Sequence, residues 1–139
     1  MTQKDKELLL KDLCARLPYG VKVECKWKTP APNGTYGMIC TLDSFLLDQI
    51  YNTDDIDVPF DEYKPYLFPL SSMTEEQHTD MFNYYHNAEI EEVYANGDYL
   101  KAAYIGDDKK YEWLNRNHFD YRGLIEKGLA LDATGLGIY

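Results

Sequence analysis

The stretch Val21-Lys22-Val23-Glu24-Cys25-Lys26-Trp27-Lys28 constrains this chain more than any other part of it. Apolar and charged residues alternate strictly along it, and a period of two marks a strand with one wet face and one buried face. Such a strand needs neighbours along its edges and a layer over its apolar side. Thr29 to Thr35 follows, with Pro30, Pro32 and the pair Asn33-Gly34, and reads as a hairpin loop. Tyr36 to Leu42 then returns as the second strand. The lysines Lys22, Lys26 and Lys28 suit a solvated edge strand guarded against mispairing, with a local basic strip for nucleic acid as the rival use.

Helices must supply the covering layer. Thr2 can cap a first helix, with Asp5 three positions on and Leu8, Leu9, Leu13 and Leu17 at helical spacing until Pro18-Tyr19-Gly20 stops it. Thr74 with Gln77 forms a second capping box. Glu75 and Glu76 suit the positive end of that helix, and Met81, Phe82 and Tyr85 give it an apolar face that fades near Asn87. Between the two helices, Phe45, Leu47 and Tyr51 sit at even spacing and predict a strand over 43–51, although Leu46 and Ile50 interrupt it. Asn52 to Asp57 is a polar turn, and Val58 to Leu70 is extended and punctuated by Pro59, Pro65 and Pro69.

Val93-Tyr94 and Tyr99 to Ile105 flank Asn96-Gly97 and predict a hairpin. Asp107 or Asp108 can cap a short helix through Tyr111, Trp113 and Leu114 to about Asn117, and the tail holds a helical turn over 122–127 and an apolar run, Leu129 to Leu131. Together these elements predict an α+β protein: a small curled antiparallel sheet, barrel-like, packed with three or four helices. A length of 139 residues suits one domain spanning 1–139, with a seam near 71–74 where strands give way to helices.

Charge narrows the partners. Residues 1–28 carry seven bases and four acids, a net of +3, whereas the other 111 carry seven bases and 20 acids, a net of -13. Seven acids fall between Asp43 and Glu62 with no base among them, and seven more between Glu75 and Asp98. A field of that sign repels phosphate backbones and makes nucleic acid an unfavourable partner. The run Leu8-Leu9-Leu10 is too short for an export signal, and no stretch approaches the ~18 apolar residues of a membrane span. Three cysteines, Cys14, Cys25 and Cys40, without C-x-x-C spacing fit free thiols in the cytoplasm. Tyrosine is over-used, at 13 residues, and serves a thin core or an adhesive surface equally well.

Candidate chemistry is sparse. Asp54, Asp55 and Asp57 could offer oxygens to a hard cation, but counting from Asn52 puts Ile56 and Asp57 where a calcium loop needs an oxygen ligand and a glycine. Glu75-x-x-His78 is half of a di-iron motif with no second copy, and His78 and His86 lack a third zinc ligand. Gly135-Leu136-Gly137 has no helix after it to form a dinucleotide fingerprint, and no nucleophile motif is present. No metal or cofactor is expected. The densest polar and aromatic cluster is Trp113 to Gly123, in which Trp113, His118, Asp120, Tyr121 and Arg122 are the candidate binding residues. His118, Asp120 and Arg122 could do acid–base work or grip an anion. The structural use of the same residues is also open: turns at Asn117 and Gly123, a helix cap at Asp120, and an ion pair at Arg122.

Lys64-Pro65-Tyr66-Leu67-Phe68-Pro69-Leu70-Ser71-Ser72-Met73-Thr74-Glu75-Glu76, and Trp113-Leu114 followed by the segment from His118 to Leu131, resemble a family of short uncharacterised proteins. Gut anaerobic bacteria encode them, often in phage or mobile-element regions. The resemblance covers about a quarter of the chain and implies a cytoplasmic accessory protein; it brings no activity or site residue. The residues themselves favour a non-catalytic module that binds another protein, outside the membrane. Two other classes stay open: an enzyme built on the His118–Asp120–Arg122 cluster, and a DNA mimic whose acidic stretches, 43–62 and 75–98, stand in for phosphates.

Overall fold

A computed structural model describes all 139 residues. The alternating segment forms β1 (Lys22–Trp27), which pairs antiparallel with β2 (Gly37–Thr41) through the expected hairpin, Val23 facing Cys40 and Cys25 facing Met38. Its other edge pairs antiparallel with β3 (Phe60–Pro69), Cys25 facing Tyr63. β1 is therefore a central strand and not an edge. Lys26 lies 3.9 Å from Glu24 and 3.7 Å from Glu62, whose other oxygen is 3.0 Å from Lys64, so the lysines belong to an ion-pair ladder on the wet face. The true edge is β2, which carries no charge.

Two short strands, β4 (Phe119–Asp120) and β5 (Leu131–Asp132), add parallel to the far edge of β3. The sheet is thus mixed, in the order β2-β1-β3-β4 with β5 also on β3, and it stays open where a barrel-like closure was expected. Four helices complete the α+β fold: α1 (Gln3–Arg16), α2 (Ser44–Tyr51), α3 (Glu75–Asn96) and α4 (Tyr99–Arg116).

The apolar face of the sheet, built from Val21, Val23, Cys25, Tyr63 and Leu67, packs on Leu9 and Leu13 of α1, Leu46 and Ile50 of α2, and Leu124 and Leu129 of the tail. Both capping boxes form: Thr2 with Asp5 starts α1, and Thr74 with Gln77 starts α3. The segment 43–51 is helical and not a strand. Asp43 caps it by accepting from Leu46 N at 2.7 Å, and the buried pair Leu46 and Ile50 is four apart, while Phe45 and Tyr51 point to solvent. The residues that suggested alternation are the exposed ones.

The expected hairpin around Asn96-Gly97 is instead a pair of helices. α3 runs past Asn87 to Asn96, Gly97 takes the left-handed conformation at φ 65° that closes a helix C-terminus, and Asp98 starts α4 by accepting from Lys101 N at 3.0 Å. Asp107 and Asp108 accordingly lie inside α4 and cap nothing. Residues 121–130 form turns without a helix. No helix is long and apolar enough to cross a membrane.

Candidate functional site

The polar cluster flagged by the sequence is assembled, but around partners that lie more than a hundred positions away. Asp12 of α1 is fully buried and accepts from Arg16 Nε at 2.8 Å and from Arg122 Nε at 3.1 Å. Arg16, also fully buried, donates through Nη2 to the Phe119 carbonyl at 2.6 Å, leaving Nη1 without a partner. Arg122 reaches the Tyr121 hydroxyl at 3.0 Å, and that hydroxyl donates to Asn115 at 2.9 Å. Both guanidinium groups lie over the Tyr121 ring, at 5.4 and 4.8 Å. Buried charges persist only when paired and bonded, so this network is a lock between α1 and the C-terminal third.

The other members are equally occupied. Asp120 accepts from Leu124 N at 3.0 Å and Ile125 N at 2.9 Å, which holds the turn opened by Gly123 at φ 75°. Trp113 stacks on Phe119 with ring centres 5.7 Å apart and donates Nε1 to Asp80 at 2.9 Å. His118 takes a left-handed backbone, φ 64°, and stacks 3.8 Å from Tyr139, whose hydroxyl bridges Lys22 N and the Tyr66 carbonyl. Burial, then the charges of Arg16 and Lys22, lower the His118 pKa to about 4. Its Nδ1 is buried and unpartnered. His118, Asp120 and Arg122 therefore point into three separate jobs and do not converge on one substrate position.

An open cleft of about 620 Å³ lies beside the N-terminal turns of α1, bordered by Lys6, Asp54, Asp61, Tyr63 and Lys127. Its charges are mixed, and of the residues singled out in the sequence it holds Asp54 but none of Trp113, His118, Asp120, Tyr121 or Arg122. No group of three or more His, Cys, Asp or Glu side chains comes together in a geometry that could hold a metal ion.

The exposed surface with a consistent character is the α3–α4 pair. The 22-residue α3 contains no buried residue, and α4 meets it through the small side Ala102 and Gly106. A Cβ at position 106 would run into the Glu89 side chain, so glycine sets the close approach of the two helices. At ~1.5 Å per residue, α3 is ~33 Å long, and only its first turns are tied to the sheet side, where Met81 and Tyr84, with Met73 just ahead of the helix, pack around Trp113. Every residue from Tyr94 to Lys101 is exposed. Opposite the α3-facing side of α4, Leu100, Tyr104 and Tyr111 recur at helical spacing, and the Tyr111 ring lies 5.0 Å from Tyr121. Tyr94 is 87% exposed, Tyr99 76%, Leu100 69% and Tyr104 66%. The question posed by tyrosine abundance is thus answered by position: Tyr63 and Tyr66 are core, whereas Tyr94, Tyr99, Tyr104 and Tyr111 line the arm.

Reading 91–105 as strands hid this stripe from the sequence. Its signal was Asp98 as a cap followed by Leu100, Tyr104, Asp107 and Tyr111, an i, i+4, i+7, i+11 series. No family model, curated protein or solved structure matches the chain.

Proposed function

We propose that this protein is a non-catalytic protein-interaction module, of accessory or mobile-element type and cytoplasmic, whose contact surface is the α3–α4 arm. The observation that carries this reading is that residues 75–112 of the helix pair bury only Ala102 and Gly106 yet display large aromatic side chains to solvent, while the end of α4 from Trp113 to Asn115 belongs to the body. Exposed tyrosines are expensive in surface apolarity and suit a partner, since they offer broad contact area and a hydroxyl at low entropy cost. Residues 75–111 hold nine acids and three bases, a net of -6, so the partner that fits is a protein presenting basic and apolar side chains together.

The two rival classes draw less support. The candidate catalytic residues are all engaged in holding the fold. A DNA mimic needs its carboxylates free along one face, but Asp80 is bonded to Trp113, Glu92 lies 3.4 Å from Lys101, and Asp98 and Asp43 are helix caps. The test is site-specific photo-crosslinking in the native host, with a benzophenone side chain in place of Tyr94, Tyr104 or, as a control on the body, Tyr51. The arm positions should give adducts with one and the same protein, identified by mass spectrometry. Adducts from Tyr51 alone, or nucleic-acid adducts from the arm, would contradict the proposal.

A further inference from the structure

The edge strand β2 offers a second contact surface, independent of the arm. Leu42 N donates to the Val21 carbonyl and Trp27 N to the Tyr36 carbonyl, at opposite ends of one antiparallel register. In such a ladder, alternate residues of a strand face the partner. Tyr36, Met38, Cys40 and Leu42 therefore turn their backbone groups to β1, and Gly37, Ile39 and Thr41 turn theirs outward. Lys22 N confirms the alternation, since it points away from β2 to the Tyr139 hydroxyl.

Natural edge strands are usually guarded by lysine, proline or a covering element. β2 has none of these. From Tyr36 to Leu42 there is no charge and no proline; Tyr36 is 67% exposed, Met38 47% and Ile39 50%. A Cβ on Gly37 would run into the Cys25 carbonyl, so glycine is what lets this end of β2 lie against the β1 backbone.

We infer that β2 pairs with β2 of a second copy of this chain, about a two-fold axis through Ile39, to make one continuous sheet. The outward residues are symmetric about Ile39. Gly37 meets the other copy's Thr41, Ile39 meets its counterpart, and the three outward residues of each strand match in donors and acceptors. Between these pairs Met38 meets the other copy's Cys40 on the apolar face. A foreign strand could use the same edge, but a strand without charge is its own complement, and its pairing sets no like charges directly opposite each other. The acidic arm, by contrast, would repel its own copy.

Sedimentation equilibrium over micromolar to millimolar protein tests this, with two proline variants. Ile39→Pro removes only an outward donor, so the chain should stay folded by circular dichroism and become monomeric, its dimer weakened by ~10-fold or more. Cys40→Pro removes a donor to β1 and should destabilise the fold itself. With Cys25, which faces Met38 from β1, changed to Ala, Met38→Cys should give a covalent dimer through Cys40 of the other copy when a mild thiol oxidant such as oxidised glutathione is added, each pair of thiols losing two protons and two electrons to it. A wild-type monomer at all concentrations overturns the inference. So does a dimer that survives Ile39→Pro; if Tyr104→Ser dissolves it instead, the arm is the self-association site and the proposed hetero-partner role falls as well. A folded, monomeric Ile39→Pro variant that still gives arm crosslinks in the host leaves both proposals standing.

Discussion

The body of the molecule and its α3–α4 arm are held together by different physics. Of 27 buried residues, only Ala102 and Gly106 lie within 75–112. The body is stabilised by burial: apolar side chains of α1, α2 and the tail close over the sheet, and one ion network, Asp12 with Arg16 and Arg122, fixes where the C-terminal third sits. The arm is stabilised locally. Its two caps, the Gly97 closure, the Tyr84–Glu112 hydrogen bond at 2.8 Å and the Lys101–Glu92 pair at 3.4 Å act over a few turns of two adjacent helices. A region whose apolar side chains are not required by the core is free to use them elsewhere. That difference is the basis for assigning binding to the arm and architecture to the conspicuous polar cluster.

The contrast is sharpest for charges. Asp12→Ala should cost about 3–5 kcal/mol in urea unfolding, because it strands the Arg16 guanidinium in the core. Glu92→Ala, which breaks an ion pair of similar length on the arm, should cost no more than about 0.5 kcal/mol. Equal losses would erase the distinction. Apolar truncations should divide the same way: Leu67→Ala, at a fully buried site, about 2–5 kcal/mol, and Leu100→Ala within about 0.5 kcal/mol of wild type.

Acid should act first on the body. The folded-state pKa of His118 lies near 4 against an ordinary value of 6.5, so the unfolded chain binds the proton first. Stability is complete above pH 6.5, falls as pH drops from 6.5 towards 4, and levels off below that. With its partial solvent exposure the loss should be about 1–2 kcal/mol. Unfolding free energy measured across pH 4–7 should lose this step in His118→Asn, a residue that tolerates the left-handed backbone. Gly97→Ala should act on the arm alone, at about 1 kcal/mol. Amide exchange should accelerate between residues 90 and 105 and stay unchanged in β1 and β3.

Much of the body was legible in the sequence because its signals are local. The alternation from Val21 to Trp27, the Asn33-Gly34 loop and the capping box at Thr2 each act within a few residues, as does the Thr74 box that opens the arm. α2 was misread because exposed Phe45 and Tyr51 imitate a strand period, while Leu46 and Ile50, which seemed to spoil it, are the buried pair. Asn96-Gly97 was misread because a left-handed glycine serves a β-hairpin and a helix C-terminus equally. Asp120 and Arg122 could be seen to have structural uses, but Asp12 as the partner could not, since 110 positions separate it from Arg122. The arm's stripe emerges only once Tyr99 to Arg116 is known to be one helix.

The most direct test is the urea unfolding free energy of a variant with Tyr94, Tyr99 and Tyr104 all changed to serine. If these rings face a partner and not a core, the variant should unfold within about 1 kcal/mol of wild type. A loss of more than about 3 kcal/mol would mean the rings already serve the fold, and the arm could not be the binding surface.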